Sequence, residues 1–298
     1  MDASPVAISG ITGFIGRHLA RRLIASGVPV TGISRSKEAR LSGVSRWQTP
    51  DVLDLFGHRA VVNLSGEPVN CRWSDAKKAA FESSRTGATH RLVKHLKTIE
   101  PVARPKVLVS ASGIGIYGDR EDAILDEGAP PGTDYLAGLC VRWEAAAREA
   151  EDLGVRVALL RTGIVLGKGG AAFDQLRRLF RLGLGGKLGS GRQWIAWIHL
   201  EDQISAIIHA LETPLLSGPL NLNAPHPERN VDFTRKFAAA LHRPAILPVP
   251  GFALKLVLDG LGETMLGGQR AVPTALERSG FAFQFPTLEE ALADLVVT

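Results

Sequence analysis

Gly10-Ile-Thr-Gly13-Phe-Ile-Gly16 follows the apolar run Pro5-Val-Ala-Ile-Ser9 and precedes Arg17-His-Leu-Ala-Arg-Arg-Leu-Ile24, whose apolar residues recur at helical spacing. Strand, glycine turn and helix in that order open a dinucleotide-binding fold. Glycine is demanded three times: where the chain turns tightly, where backbone approaches a pyrophosphate, and where helix packs closely on strand. The phosphates meet the free N–H groups and positive dipole end of the first helix. The spacing is G-x-x-G-x-x-G rather than G-x-G-x-x-G, and the flanking strand and helix supply the context that a glycine triplet needs. Gly10, Thr12, Gly13, Phe14, Ile15 and Gly16 are therefore the first cofactor-binding candidates.

The second strand, Val28 to Ile33, ends in Ser34-Arg35-Ser36-Lys37. About 20 residues after the turn an Asp or Glu would hold the ribose hydroxyls of NAD, whereas an Arg accommodates the 2′-phosphate of NADP. No carboxylate stands there before Glu38. Arg35 offers a planar fork of donors, Ser34 a neutral hydroxyl and Lys37 a further charge, so the expected cofactor is NADP(H).

Strands and helices alternate through the first two thirds of the chain, as in a doubly wound parallel sheet. After strand two, Arg59 to Leu64 reads as a buried strand, Asp75 to Glu100 as one long helix, Lys106 to Ser112 as a strand, Thr133 to Leu153 as mostly helix and Val155 to Arg161 as a strand. From about Gly163 the pattern changes: glycine-rich loops surround a helix at Ala172 to Leu182, and Glu201 to Leu211 is a further helix. Leu220 to Asn223 reads as a last strand, and Phe281-Ala-Phe-Gln-Phe285 as an aromatic strand in the C-terminal part. The expected division is a Rossmann domain at 1–165, to which 200–225 return, and a smaller substrate lobe of 166–199 and 226–298 that closes over the carboxyl ends of the strands.

The 298 residues are 45% hydrophobic and 22% charged, an ordinary globular composition with room for a large core. A formal charge of +5 from 35 basic and 30 acidic residues, spread along the chain, gives no basic stripe and argues against a nucleic-acid partner. Cys71 and Cys140 are read as free thiols of a reducing compartment, Cys140 on the inner face of a helix. With no apolar signal stretch and no run of transmembrane length, the expected location is the cytoplasm, away from membranes. No spacing of His, Cys, Asp and Glu calls for a metal. A homodimer is left open.

Three stretches carry candidate chemistry. Asn63-Leu64-Ser65-Gly66 ends the strand beside the cofactor, where backbone and small side chains approach the dinucleotide. Ser110-Ala-Ser112 puts hydroxyls at the end of a central strand; Ser112 suits a substrate carbonyl or hydroxyl, and Ser110 is as readily a strand-end hydrogen-bonder. Arg192 and Gln193 follow a glycine loop and lead into Trp194, Trp197 and His199, which together offer aromatic walls and polar groups for a substrate pocket. His199 is either a general acid or a structural hydrogen-bonder beside Asp202.

At these residues the chain resembles the short-chain dehydrogenase/reductase superfamily in its extended, epimerase-like form. Gly10/Gly13/Gly16, Arg35, Asn63 to Gly66, Ser110-Ala-Ser112 with Tyr117-Gly118, and Trp197-Ile-His199-Leu-Glu-Asp202 carry the resemblance. It is similar above all to an atypical, uncharacterised epimerase-like branch grouped as NAD-dependent epimerase/dehydratases or cell-division-inhibitor homologues. The marks of that branch are Trp143-Glu144-Ala-Ala-Ala147, Arg161 to Gly167, Phe180 to Gly186, Gly189 to Gln193, Trp197 to His199 and Gly268 to Pro273, which span nearly the whole chain. The resemblance implies that Arg85 reaches the cofactor diphosphate, where it is otherwise a solvated helix charge; Ser110 and Val165 join the cofactor candidates, Trp143 is read as packing and Glu144 as a hydrogen-bond anchor for the loop after the fourth strand.

Ordinary superfamily members place Tyr-x-x-x-Lys on the helix after Ser112, the lysine lowering the pKa of the tyrosine. Here the tyrosine is Tyr135, four residues before Leu139; a shift by one gives Leu136 and Cys140, and Thr133 to Leu153 contains no lysine. A tyrosine without that cation keeps a pKa near 10. The usual serine falls on Ser112 or on Gly113. The expectation is an NADP(H)-binding, epimerase-like oxidoreductase acting on a small polar substrate, with Ser112, Tyr135, His199 or a water moving the proton and Arg192, Gln193 and Trp197 holding the substrate. The alternative is a non-catalytic NADP(H)-binding redox sensor or interaction module.

Overall fold

Val6 to Ser9 form a four-residue strand, β1, with all four side chains buried, because apolar residues on both faces suit a strand covered by helices on both sides. The computed structural model describes residues 4–36, 38–245 and 247–296. Lys37, one of the cationic candidates, lies outside the described residues. β1 is joined by β2 (Val30–Ile33), β3 (Arg46–Gln48), β4 (Ala60–Asn63), β5 (Val107–Gly113) and the strands Arg156–Thr162 and Gly218–Leu222. Every pairing is parallel, and the order across the sheet is Gly218–Leu222, Arg156–Thr162, β5, β4, β1, β2, β3. This is a doubly wound α/β sheet of the Rossmann kind.

The direction of strand order reverses between β1 and β4, where Ser9 is in register with Asn63, itself in register with Ser110. A crevice opens at such a switch point, outside the carboxyl ends of the strands. One face of the sheet packs under α1 (Phe14–Ala25) and the helix Leu200–Glu212, through Leu19, Leu23, Ile204 and Ile207. The other packs through Leu92, Val93, Leu96 and Ala147, from α3 (Ala88–Lys97) and α4 (Tyr135–Arg148). At roughly 25 cal/mol per Å² of apolar area, these two faces are the main source of stability.

The helix expected over Asp75 to Glu100 is two helices, α2 (Asp75–Glu82) and α3, joined by a π-helical turn at Ser83–Gly87. Ser74 caps α2, accepting from the Lys77 amide. The Asp134 carboxylate caps α4 by accepting from the Ala137 amide, and the helical stretch then ends in a 3-10 turn, Glu151–Leu153.

Phe281 to Phe285 is not a strand. The amides of Gln284 and Phe285 donate to the two carboxylate oxygens of Asp202 at 2.7 and 2.9 Å, so a side chain replaces the ladder partner, while Phe281 and Phe283 pack on the main core. A separate hydrophobic core lies around Phe173, Phe180, Trp197, Phe233 and Phe237. The helix Gly260–Leu266 contributes Leu261 to a small cluster with Trp73, Cys71, Tyr135 and Leu136. Among the described residues no helix is long and apolar enough to cross a membrane, and no group of His, Cys, Asp and Glu could hold a metal.

Candidate functional site

A cavity of about 750 Å³ lies at the switch point. Of the candidate residues Gly10, Thr12, Gly13, Ser34, Arg35, Leu64, Ser65 and Gly66 line it, with Ser9. Gly10 has φ +74°, and a Cβ there would stand 2.6 Å from the Leu64 carbonyl oxygen. A Cβ on Gly16 would stand 2.3 Å from the Gly10 carbonyl oxygen. The first glycine thus lets two strand ends close together and the last lets α1 sit on the turn. Gly13 caps α1 without a side-chain hydrogen bond, and the first turn holds no acid, so the positive end of the helix keeps its charge for a ligand. Below the cavity Ser9 and Ser65 share a hydroxyl–hydroxyl hydrogen bond. Phe14, Ile15, Leu64 and Val165 pack against the buried core beside it.

At one end Arg35 is largely exposed and lies 4.0 Å from the Glu67 carboxylate, which also faces Lys77 at 3.7 Å. The Ser34 hydroxyl accepts from the Ser36 amide at 3.2 Å. Pro50, Leu53, Ala88 and Leu92 add an apolar stretch, while Glu67, Ser83, Ser84 and Arg91 add polar groups that periodicity did not single out. Ser83, Ser84 and Arg91 share a signal, the π-helical turn, whose extra residue is invisible to a search for 3.6-residue spacing.

Asn63 does not aim its side chain at the cavity. It is buried and donates to Thr89 Oγ1 at 2.9 Å and to Ser110 Oγ at 3.4 Å. Trp143 Nε1 donates to the same Thr89 hydroxyl, which in turn donates to the Arg85 carbonyl. This network holds the π turn and with it Arg85. The Arg85 guanidinium lies 5.3 Å from the Trp143 ring and 5.8 Å from that of Phe81, and a Cβ on Gly66 would come within 3.2 Å of its Cζ. Burial lowers the Arg85 pKa, with Cys140, Tyr135 and Glu67 opposing, and its Nη1 is buried without a partner.

At the other end the ordinary catalytic positions are filled differently. The Ser112 hydroxyl donates to Glu144 at 2.7 Å. Glu144 is gripped by Arg161 through Nε and Nη2, both at 2.9 Å, and Arg161 Nη1 reaches the Tyr117 hydroxyl at 3.0 Å. Glu144 therefore anchors two adjacent strands rather than a loop. Burial works against the charge on Arg161, but the bidentate Glu144 holds its pKa above the ordinary value. Burial pushes the Tyr117 phenol up, against Arg161.

Tyr135 is turned away from β5: its hydroxyl donates to the Lys78 carbonyl at 3.2 Å, and its ring centroid lies 5.4 Å from that of Trp73. Burial and then Glu82 raise its pKa, the opposite of what a base at neutral pH needs. Facing the end of β5 and the 3-10 turn after it, Leu136 lies 3.5 Å from where a Cβ on Gly115 would stand and Cys140 Sγ 3.7 Å from one on Gly113. Burial pushes the Cys140 thiol up to about 11, so it stays neutral.

His199 and Trp197 belong to the C-terminal core and not to a pocket wall. Trp197 is fully buried, with its indole N–H on the His226 carbonyl. His199 caps the helix Leu200–Glu212: Nδ1 accepts from the Glu201 amide at 3.1 Å, so the proton sits on Nε2. Nε2 lies 3.3 Å from Asp294 without a hydrogen bond, and the ring lies against Phe285, tilted by 41° with the centroids 3.9 Å apart. Burial lowers its pKa, against Asp294 and Asp202. The sequence could not separate an inward-facing histidine in a second core from one at a cleft.

Arg192 is exposed. Gln193 donates to the Leu188 and Met265 carbonyls at 3.1 and 3.2 Å, and its Oε1 is buried without a partner. Trp194 is clamped by Arg229 and Arg270, whose guanidinium carbons lie 4.2 and 4.6 Å from the ring centroid, and its N–H bonds Asp122.

Comparison with known proteins gives this geometry a setting. Residues 6–222 match the model of the NAD dependent epimerase/dehydratase family, and residues 249–295 match a domain of unknown function, DUF1731. The chain is 41% identical to the epimerase family protein MT2273 of Mycobacterium tuberculosis, over 98% of this chain and 97% of that one. It is 38% identical to the chloroplastic SDR39U1 homolog, an epimerase family protein of Arabidopsis thaliana, over 96% of this chain and 85% of that protein. A solved structure of the human epimerase family protein SDR39U1 with NADPH superposes with a TM-score of 0.90 at 35% identity, covering 98% of this chain and 99% of the human one.

Proposed function

This chain belongs to the NAD dependent epimerase/dehydratase family, and from that premise we propose that it is an NADP(H)-binding oxidoreductase of the epimerase kind, acting on a small polar substrate. The observation that carries the reading is Arg35: a fork of donors at the rim of the glycine-turn cavity, at the position where an NAD site has a carboxylate. The human relative crystallised with NADPH agrees with this choice. The close approach of Gly10 to Leu64 and the bare N-terminus of α1 suit a diphosphate. The buried Nη1 of Arg85 has a donor to spare beside Gly66, suited to an oxygen of the same ligand.

Bound there, the cofactor would supply or accept a hydride at its nicotinamide. Ser112 is committed as a donor to Glu144 and keeps lone pairs to accept from a substrate hydroxyl or a water. With Tyr135 engaged elsewhere and Leu136 and Cys140 facing the end of β5 and the turn after it, water is the proton carrier that fits best. Arg192 and Gln193, on the loop before Trp194, are the substrate-binding candidates that the lobe offers.

A second reading, a protein that binds NADP(H) and changes shape without turnover, is favoured by the same two residues, Leu136 and Cys140, since neither moves a proton at neutral pH. A single-turnover assay separates the two. Protein loaded with NADPH is mixed in turn with sugar nucleotides and simple carbonyl compounds while nicotinamide absorbance is followed. Loss of the reduced signal with one class supports the enzyme and names its substrate class; a signal that survives every compound, with NADPH bound, supports the sensor.

A further inference from the structure

Arg91 lines the same cavity as Ser34, Arg35 and Ser36, but from α3 rather than from the end of β2. Its side chain runs back along the helix, with Nη1 3.7 Å from where a Cβ on Gly87 would stand, in the space that the glycine of the π turn leaves. Among the described residues Arg91 has no hydrogen bond or ion pair. The helical neighbours at i±3 and i±4 are Gly87, Ala88, Lys94 and His95, none of which is an acid. Two other helix arginines are paired with acids, Arg22 with Glu201 and Arg142 with Glu82.

The cavity therefore carries two cations, Arg35 and Arg91, against one carboxylate, Glu67, which Lys77 already faces. A diphosphate at the glycine turn leaves this end unbalanced. An anion at the ribose beyond β2 completes it.

We infer that Arg91 and Arg35 form a two-sided clamp on the 2′-phosphate of NADP(H), making Arg91 a determinant of NADP over NAD; the inference rests on the reading of the cavity as a nicotinamide dinucleotide site. Guanidinium forks suit this task, because each can bond a phosphate through two parallel N–H groups.

The test titrates the full chain with NADPH and NADH by nicotinamide fluorescence, with adenosine 2′,5′-bisphosphate and 5′-AMP as competitors, in the wild type, Arg91→Ala and Arg91→Lys. Arg91→Ala is expected to weaken NADPH and the bisphosphate roughly 10- to 100-fold, and NADH and 5′-AMP by less than about twofold. Arg91→Lys recovers part of the loss, as a point charge without the fork. An equal loss for NADPH and NADH would mean contact with the shared adenosine and overturns the clamp, as does an unchanged NADPH affinity. Wild-type protein that binds neither dinucleotide overturns the reading of the cavity and the clamp with it.

Discussion

The Ser112 hydroxyl and the Glu144 carboxylate are joined at 2.7 Å in a buried network that runs on to Arg161 and Tyr117. The serine that would assist catalysis in an ordinary relative is here also a strut between β5 and α4. Because Glu144 and Arg161 are both under a tenth exposed, removing one charge strands the other in the core. Glu144→Ala is expected to cost about 3–5 kcal/mol in a urea unfolding measurement. A loss under about 1 kcal/mol would mean that water reaches Arg161.

Tyr135→Phe is expected to be almost silent in turnover. The hydroxyl serves only the Lys78 carbonyl, so its loss costs about 1 kcal/mol of stability and changes kcat by less than about threefold. A fall of a hundredfold or more would show that the ring turns toward the substrate during reaction.

Gly10→Ala and Gly27→Ala make a matched pair. Both glycines have positive φ, +74° and +76°, but a Cβ on Gly10 meets the Leu64 carbonyl, whereas one on Gly27 meets open space. Both should lose about 1–3 kcal/mol of stability. Only Gly10→Ala should weaken NADPH binding by at least about tenfold, read by the same fluorescence titration.

Glu67→Gln removes the carboxylate that faces Arg35 and Lys77. NADPH should bind about two- to fivefold tighter, and the gain should shrink in high salt, since both partners are solvent-accessible. Weaker binding would instead make Glu67 a direct ligand of the nucleotide.

His199 sets a pH dependence. Its pKa in the fold is below 6.5, so between that lowered value and 6.5 the unfolded chain holds the extra proton. Stability therefore falls as pH drops through this window and is unaffected by His199 above it. His199→Asn, which can still cap the helix, should flatten the fall in thermal melts between pH 7 and about pH 5.

The glycine turn and the position of Arg35 at the rim of the cavity were legible because they are local: a strand, a turn and a charge at the end of the next strand. The order of alternating elements likewise pointed to the parallel sheet. The roles of Trp197 and His199 were not legible, since an aromatic run after a glycine loop looks the same whether it walls a pocket or fills a second core, and only Phe285, His226 and Asp294 decide. Phe281 to Phe285 has strand composition, yet a carboxylate 82 positions away, Asp202, takes its amide hydrogens. Arg91 was not singled out for a different reason: the turn that sets its place on α3 lies inside a stretch that reads as one regular helix.

That last point follows from the π-helical turn at Ser83–Gly87. One added residue turns everything beyond it by about 100° around the helix axis. The placement of Ala88, Arg91 and Leu92 along the cavity thus depends on chain length between Ser74 and Lys97 as well as on the Thr89 network that holds the turn. Deleting a single residue there would leave composition and helicity nearly intact while rotating that whole row away from the cavity, a change larger than the loss of any one side chain.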